Sequence, residues 1–185
     1  MPTLPTPPPD DVLVLLVEDH RQVEGMLAQF DTVSVAGRGE LFWKLTNELV
    51  RHEVAEEIVV YPALRDVPGG DQVAGSRIAE QSEAEEKLAA MERLDAESAE
   101  FADQFITLRS AVLAHARAEE STALPLLADH LPSERLVEMG ERYQRAKRGA
   151  PTHPHPHAPD SPPGNLVLGP VAALVDRIRD AASAA

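Results

Sequence analysis

The sequence predicts an all-α fold, an antiparallel up-down four-helix bundle with additional C-terminal helices. Three observations predict it. Apolar residues recur at helical spacing through four long segments, and no alternating strand pattern competes with them. The connections between these segments are short, which makes successive helices antiparallel. The chain also repeats itself: Gln81 lies 61 residues after His20, and His115 lies 63 residues after His52. Near-equal offsets describe two related helix hairpins. A bundle built from two such hairpins has a pseudo-twofold axis, with the repeated residues facing each other across it.

Each element follows from its own signals. Residues 1–9 are proline-rich and are expected to be disordered or extended. Asp10 and Asp11 offer an N-cap to a first helix running to about Phe30, with Val14, Leu15, Val17, Val23, Met26 and Leu27 available for burial. A loop with Gly37 and Gly39 leads to a second helix over about 40–65, striped by Leu41, Leu45, Leu49, Val50 and Ile58. Pro68-Gly69-Gly70 ends it. A third helix is expected over about 72–93 and a fourth over about 99–129, the latter with Phe101, Phe105, Leu108, Val112 and Leu113 on its apolar side. The bundle is therefore expected over 10–130, with an extra helix over 131–148, a Pro/His-rich linker over 149–165 and an amphipathic helix over 166–185.

Composition narrows the function classes. The 185 residues carry a formal net charge of −14, which opposes binding to nucleic acid or to an anionic membrane surface. There is no cysteine, so disulfides, thiolate metal sites and Cys nucleophiles are excluded. The apolar run Val12 to Val17 is far too short to span a bilayer. A cytoplasmic location is expected, as a monomer or homodimer.

The chemistry concentrates in two matching stretches. His52 and Glu56 stand four residues apart, and so do His115 and Glu119. On a helix that spacing stacks an imidazole and a carboxylate on one face, forming half of a metal chelate. A second acid follows each Glu, and a proline falls six residues after it, Pro62 and Pro125. His20 and Glu24 have the same spacing on the first helix, while Gln81 and Glu85 occupy the matching positions on the third. A lone carboxylate in a bundle core costs several kcal/mol unless it is paired or metal-bound. Solvated surface pairs at this spacing are common, but the register with the apolar stripes and the repeat favour ligation. Metal ions between the helices satisfy that many inward acids and imidazoles.

The pattern resembles a hemerythrin-like, HHE cation-binding domain. The resemblance is carried by Asp19-His20-Arg21, by His52-x-x-x-Glu56-Glu57 leading to Tyr61-Pro62, and by His115-x-x-x-Glu119-Glu120 leading to Leu124-Pro125. It covers about residues 10–130. The tail from Pro154-His155-Pro156-His157 to Leu168-Gly169-Pro170 resembles those attached to such domains in actinobacteria. The resemblance implies two iron ions, oxo- or hydroxo-bridged when oxidised, with manganese or zinc as substitutes. It implies a small diatomic or peroxide ligand: O2 bound reversibly, or peroxide or NO reacted upon, with catalase- or peroxidase-like turnover left open. His20, His52 and His115 become terminal imidazole ligands, Glu56 and Glu119 bridge, and Glu85 matches an acid that some members carry. Gln81 departs from the family, which usually has His there, and is expected to hydrogen-bond a ligand rather than to bind metal. The rival reading is a metal-poor helical interaction module with a degenerate site.

Other conspicuous residues are given structural roles. Tyr61 is expected to pack in the core with its hydroxyl satisfied at the rim, and Trp43 is expected in the core. His153, His155 and His157 alternate with prolines and are expected on a solvated linker.

Overall fold

A computed structural model describes residues 8–156. The C-terminal helix expected over 166–185, His157 and the first seven residues lie outside the described residues. Helix α1 spans Val12–Gln29. Helix α2 spans Arg38–Ala55 and continues through a π turn, Glu56–Val60, into α3, Tyr61–Arg65. Helix α4 spans Gly70–Met91. Helix α5 spans Ala99–Ala118 and continues through a second π turn, Glu119–Ala123, into α6, Leu124–His130. Helix α7 spans Ser133–Gly149. The expected all-α bundle is what forms, with no strand among the described residues. No described helix is long and apolar enough to cross a membrane.

The helix starts have local causes. The Asp11 carboxylate accepts the Leu13 amide at 2.8 Å, and the Ser98 hydroxyl accepts the Phe101 amide at 3.1 Å. Gly69, at φ +79°, makes the left-handed turn into α4 that a side chain would resist. The π turns have a cause too. A proline inside an α-helix lacks the N–H and drives its ring into the carbonyl four residues back. The chain admits one extra residue just before Pro62 and just before Pro125. Tyr61 and Leu124 then donate their amides five residues back, to Glu56 and Glu119.

The apolar stripes build two cores, and the site lies between them. One gathers Val12, Leu16, Val59, Val60, Tyr61, Leu64, Leu124, Leu127, Leu136, Met139 and Tyr143. The other gathers Val23, Leu27, Phe30, Leu41, Leu45, Leu49, Leu88, Phe101, Phe105, Leu108 and Val112. His20 falls on the α1 stripe between Leu16 and Val23, and His52 on α2 between Leu49 and Ala55. Gln81 and Glu119 occupy the same level on the other two long helices. Each long helix therefore brings a buried polar residue to one layer, α2 and its π turn supplying both His52 and Glu56.

The helix at 133–149 belongs to the first core. It packs against α1 and α2, bringing Leu136, Met139 and Tyr143 inward. Gly140 permits this approach, because a Cβ there would sit 1.9 Å from the Asp10 carbonyl oxygen. Two expectations need correction. Trp43 is 45% exposed, because α2 buries Leu41, Phe42, Leu45 and Thr46 and turns position 43 outward. The described part of the Pro/His segment is docked rather than solvated: Ala150, Pro151, His153 and Pro154 are buried, and His153 pairs with Glu92.

Candidate metal centre

His20, His52, Glu56 and Glu119 converge so that one donor atom of each lies within 4.8 Å of the others. All four side chains are buried. The stacked pairs meet as their spacing requires: His52 Nε2 lies 3.3 Å from Glu56 Oε1, and His115 Nε2 lies 3.4 Å from Glu119 Oε2. The same Glu119 Oε2 stands 3.3 Å from His20 Nε2, so this oxygen is central to both halves of the cluster.

Each imidazole is held from behind. His20 Nδ1 lies 3.0 Å from Glu120, whose other oxygen accepts from Arg21 at 2.8 Å. His115 Nδ1 lies 2.9 Å from Glu80. His52 Nδ1 lies 2.7 Å from the Tyr143 hydroxyl, which donates to Asp19 at 2.6 Å. An acceptor at Nδ1 fixes the proton there and turns the Nε2 lone pair inward, as in metal-binding histidines.

The inner atoms are then left without partners. His20 Nε2, His115 Nε2, Glu56 Oε1, Glu119 Oε2 and Gln81 Oε1 are all buried and make no hydrogen bond. The imidazoles and carboxylates approach to about 3.3 Å yet lack hydrogen-bond geometry. An unsatisfied buried polar atom costs roughly 1–3 kcal/mol, so five in one layer demand a compensating group. Lone pairs from nitrogen and carboxylate oxygen fit a cation of the iron, manganese or zinc class.

The electrostatics agree. Burial pushes Glu56 well above the ordinary carboxylate range, and Glu119 beside it pushes further. Burial acts on Glu119 in the same direction, but His20, His115 and His52 outweigh it and hold its carboxyl below the usual range. His20 is raised, because Glu119 and Glu120 outweigh the burial that disfavours imidazolium. His52 is lowered, since its burial dominates over Asp19. Without a cation, the two carboxylates cannot both be comfortably ionised.

Gln81 donates its amide to Glu56 Oε2 and to the Tyr61 hydroxyl, both at 2.6 Å. Tyr61 in turn donates to Glu119 Oε1 at 2.9 Å. Its hydroxyl is thus in the polar layer and not at the rim, because the π turn after Glu56 brings it back toward the carboxylates. Glu85, expected among the ligands, does not join the cluster. It is half-buried further along α4 and accepts the His155 amide at 2.7 Å. Glu24 is exposed and pairs with Arg21. Sequence reasoning missed Glu53, a buried acid on α2 that burial and then Glu85 push well above the carboxylate range. It also missed Tyr143, which no repeat marks.

A cavity of about 260 Å³ reaches the cluster. Its walls include Val23, Leu49, Ala84, Ala111 and Val112, together with His20, His52, Glu53, Glu80, Gln81, Glu83, Lys87 and His115.

Comparison with known proteins places this geometry. The chain is 31% identical over 171 residues to an uncharacterized hemerythrin-like protein of Schizosaccharomyces pombe, across 89% of this chain and 83% of the relative. It is 32% identical over 109 residues to a DNA nickase of Nostoc, across 58% of this chain but only 30% of the nickase. No solved structure matches. The family described as hemerythrin HHE cation binding domain matches residues 11–127, which contain all four long helices and every residue of the buried cluster. The chain belongs to the hemerythrin HHE cation-binding family.

Proposed function

We propose that His20, His52, Glu56, His115 and Glu119 would hold two iron ions, and that the centre binds or reacts with dioxygen, peroxide or nitric oxide. The observation that carries this reading is the inward set of five buried donor atoms without partners. His20, His52, Glu56 and His115 would each supply a donor, and the Glu119 oxygen that stands 3.3 Å from His20 Nε2 and 3.4 Å from His115 Nε2 would be shared between them. Bound iron supplies Lewis-acid and one-electron chemistry there.

The chain's own residues do the rest. Glu120 and Glu80 hold His20 and His115 in their metal-binding tautomers. The Gln81 amide fixes Glu56, and the Tyr61 hydroxyl keeps a proton at Glu119 Oε1. The aliphatic cavity walls favour a small uncharged ligand and disfavour bulk water. We do not extend the nickase's activity to this chain, since the likeness spans 30% of that protein and a net charge of −14 opposes phosphate contacts.

The test is iron per chain after expression with ample iron, read together with the near-ultraviolet spectrum. Two irons with oxygen-to-iron charge-transfer bands are expected, followed by peroxide consumption or a nitric oxide adduct. One iron or fewer, unchanged by reconstitution, would overturn the dinuclear reading.

A further inference from the structure

We propose that Tyr143 is the positioning residue for His52, which makes α7 a working part of the metal centre. The proposal rests on the metal reading above. Two of the three imidazoles are oriented by carboxylates on the bundle's own helices, Glu120 for His20 and Glu80 for His115. His52 is different. The carboxylate nearest its Nδ1, that of Asp19, stands 3.4 Å away, long for a charge-assisted hydrogen bond. The closer partner, at 2.7 Å, is the Tyr143 hydroxyl.

Proton counting fixes the direction of this chain of bonds. The Lys147 ammonium, which can only donate, lies 2.8 Å from Asp19 Oδ2, so that oxygen accepts. A phenol has one proton, and Tyr143 gives it to Asp19 at 2.6 Å. The phenol oxygen must therefore accept from His52, so the imidazole proton sits on Nδ1. The Nε2 lone pair is left facing Glu56 Oε1, 3.3 Å away. With the opposite tautomer, one phenol proton would have to serve both Asp19 and Nδ1.

The placement is built, not incidental. Tyr143 is 1% exposed, and its ring meets that of His52 edge-on with centroids 6.2 Å apart. The Lys147 carbonyl is bound by Arg51 Nε at 2.9 Å, next to His52 in the chain. Gly140 lets α7 close onto the start of α1. Tyr143 and Lys147 both lie beyond residue 127, where the family match ends.

The test is a cobalt(II) titration of the metal-free full chain, read by visible ligand-field bands, on the parent, Tyr143→Phe and Leu136→Ala. Tyr143→Phe should weaken the tightest cobalt by about 10–100-fold and shift its bands, the usual effect of removing a group that orients a metal-bound imidazole. Leu136→Ala, which loosens the docking of α7 but leaves the phenol and its partners in place, should stay within about threefold of the parent. Equal losses in both variants would mean that α7 acts only by docking and would overturn the proposal, as would tight binding unchanged in Tyr143→Phe. A parent that takes up no cobalt would sink the metal reading itself. Should Tyr143→Phe not fold, nitrogen-15 NMR of the parent imidazoles decides: a proton on Nδ1 of His52 is expected, and one on Nε2 overturns the proposal.

Discussion

Glu56→Gln should move stability and metal affinity in opposite directions. In the metal-free protein Glu56 and Glu119 present oxygens within 4.8 Å, where two full charges repel by about 3.5 kcal/mol at an effective dielectric of 20. Burial and this repulsion raise Glu56 well above its ordinary value of 4.5. A raised carboxyl stabilises the fold fully below the unfolded value and loses that contribution as pH rises through the folded value. At pH 8 the wild-type chain therefore bears a penalty that a neutral amide does not. The amide also fits: its oxygen can accept from Gln81, as Glu56 Oε2 does at 2.6 Å, and its NH2 faces His52 Nε2 at 3.3 Å. Urea unfolding with chelator present should show Glu56→Gln more stable by about 1–3 kcal/mol at pH 8, part of the Coulomb ceiling, with the gain shrinking toward pH 5. Metal affinity should fall by about 100-fold or more, since groups that merely orient ligands are worth about 10–100-fold. A metal-free Glu56→Gln chain less stable than wild type at pH 8, or a gain that ignores pH, would refute the reasoning.

Three further outcomes are expected. Glu85→Gln should leave metal stoichiometry and affinity unchanged within about twofold, because Glu85 faces the His155 amide; loss of a metal ion on dialysis would restore Glu85 to the ligands. Ala111→Leu should narrow the half-buried wall of the cavity and slow nitric oxide or azide binding in stopped-flow mixing, with metal content intact. Phe105→Ala should cost about 3–5 kcal/mol in chemical denaturation, since the ring is fully buried and stacks on Phe30 with centroids 3.7 Å apart.

Much of the site was legible because it obeys a period. His20, His52, Glu56, His115 and Glu119 sit on the same faces as their apolar neighbours, so helical spacing and the repeat point to them together. Glu85 was misjudged for a related reason: the repeat gives it the phase of a ligand, but α4 supplies Gln81 at the level of the polar layer. Tyr143 carries no such mark. Its role depends on how closely α7 approaches α1 and α2, a matter of Gly140 and tertiary packing rather than of periodicity. Tyr61 needed one fact that helical counting cannot supply, the extra residue before Pro62. Trp43 was misplaced because hydrophobicity alone suggested burial, whereas the α2 stripe runs through Phe42 and Leu45.

The paired π turns also bear on how this chain tolerates change in length. Each amounts to a single inserted residue absorbed inside a continuous helix, with no loop to accommodate it. Removing one residue from 57–60 would leave the ligand pair His52 and Glu56 intact and let the helix close in ordinary α turns, with Tyr61 and Leu64 still on their faces. Pro62, however, would then meet the carbonyl it now avoids. A gap there between otherwise similar sequences would thus be no neutral indel while the proline remains. A relative lacking the residue should lack the proline as well.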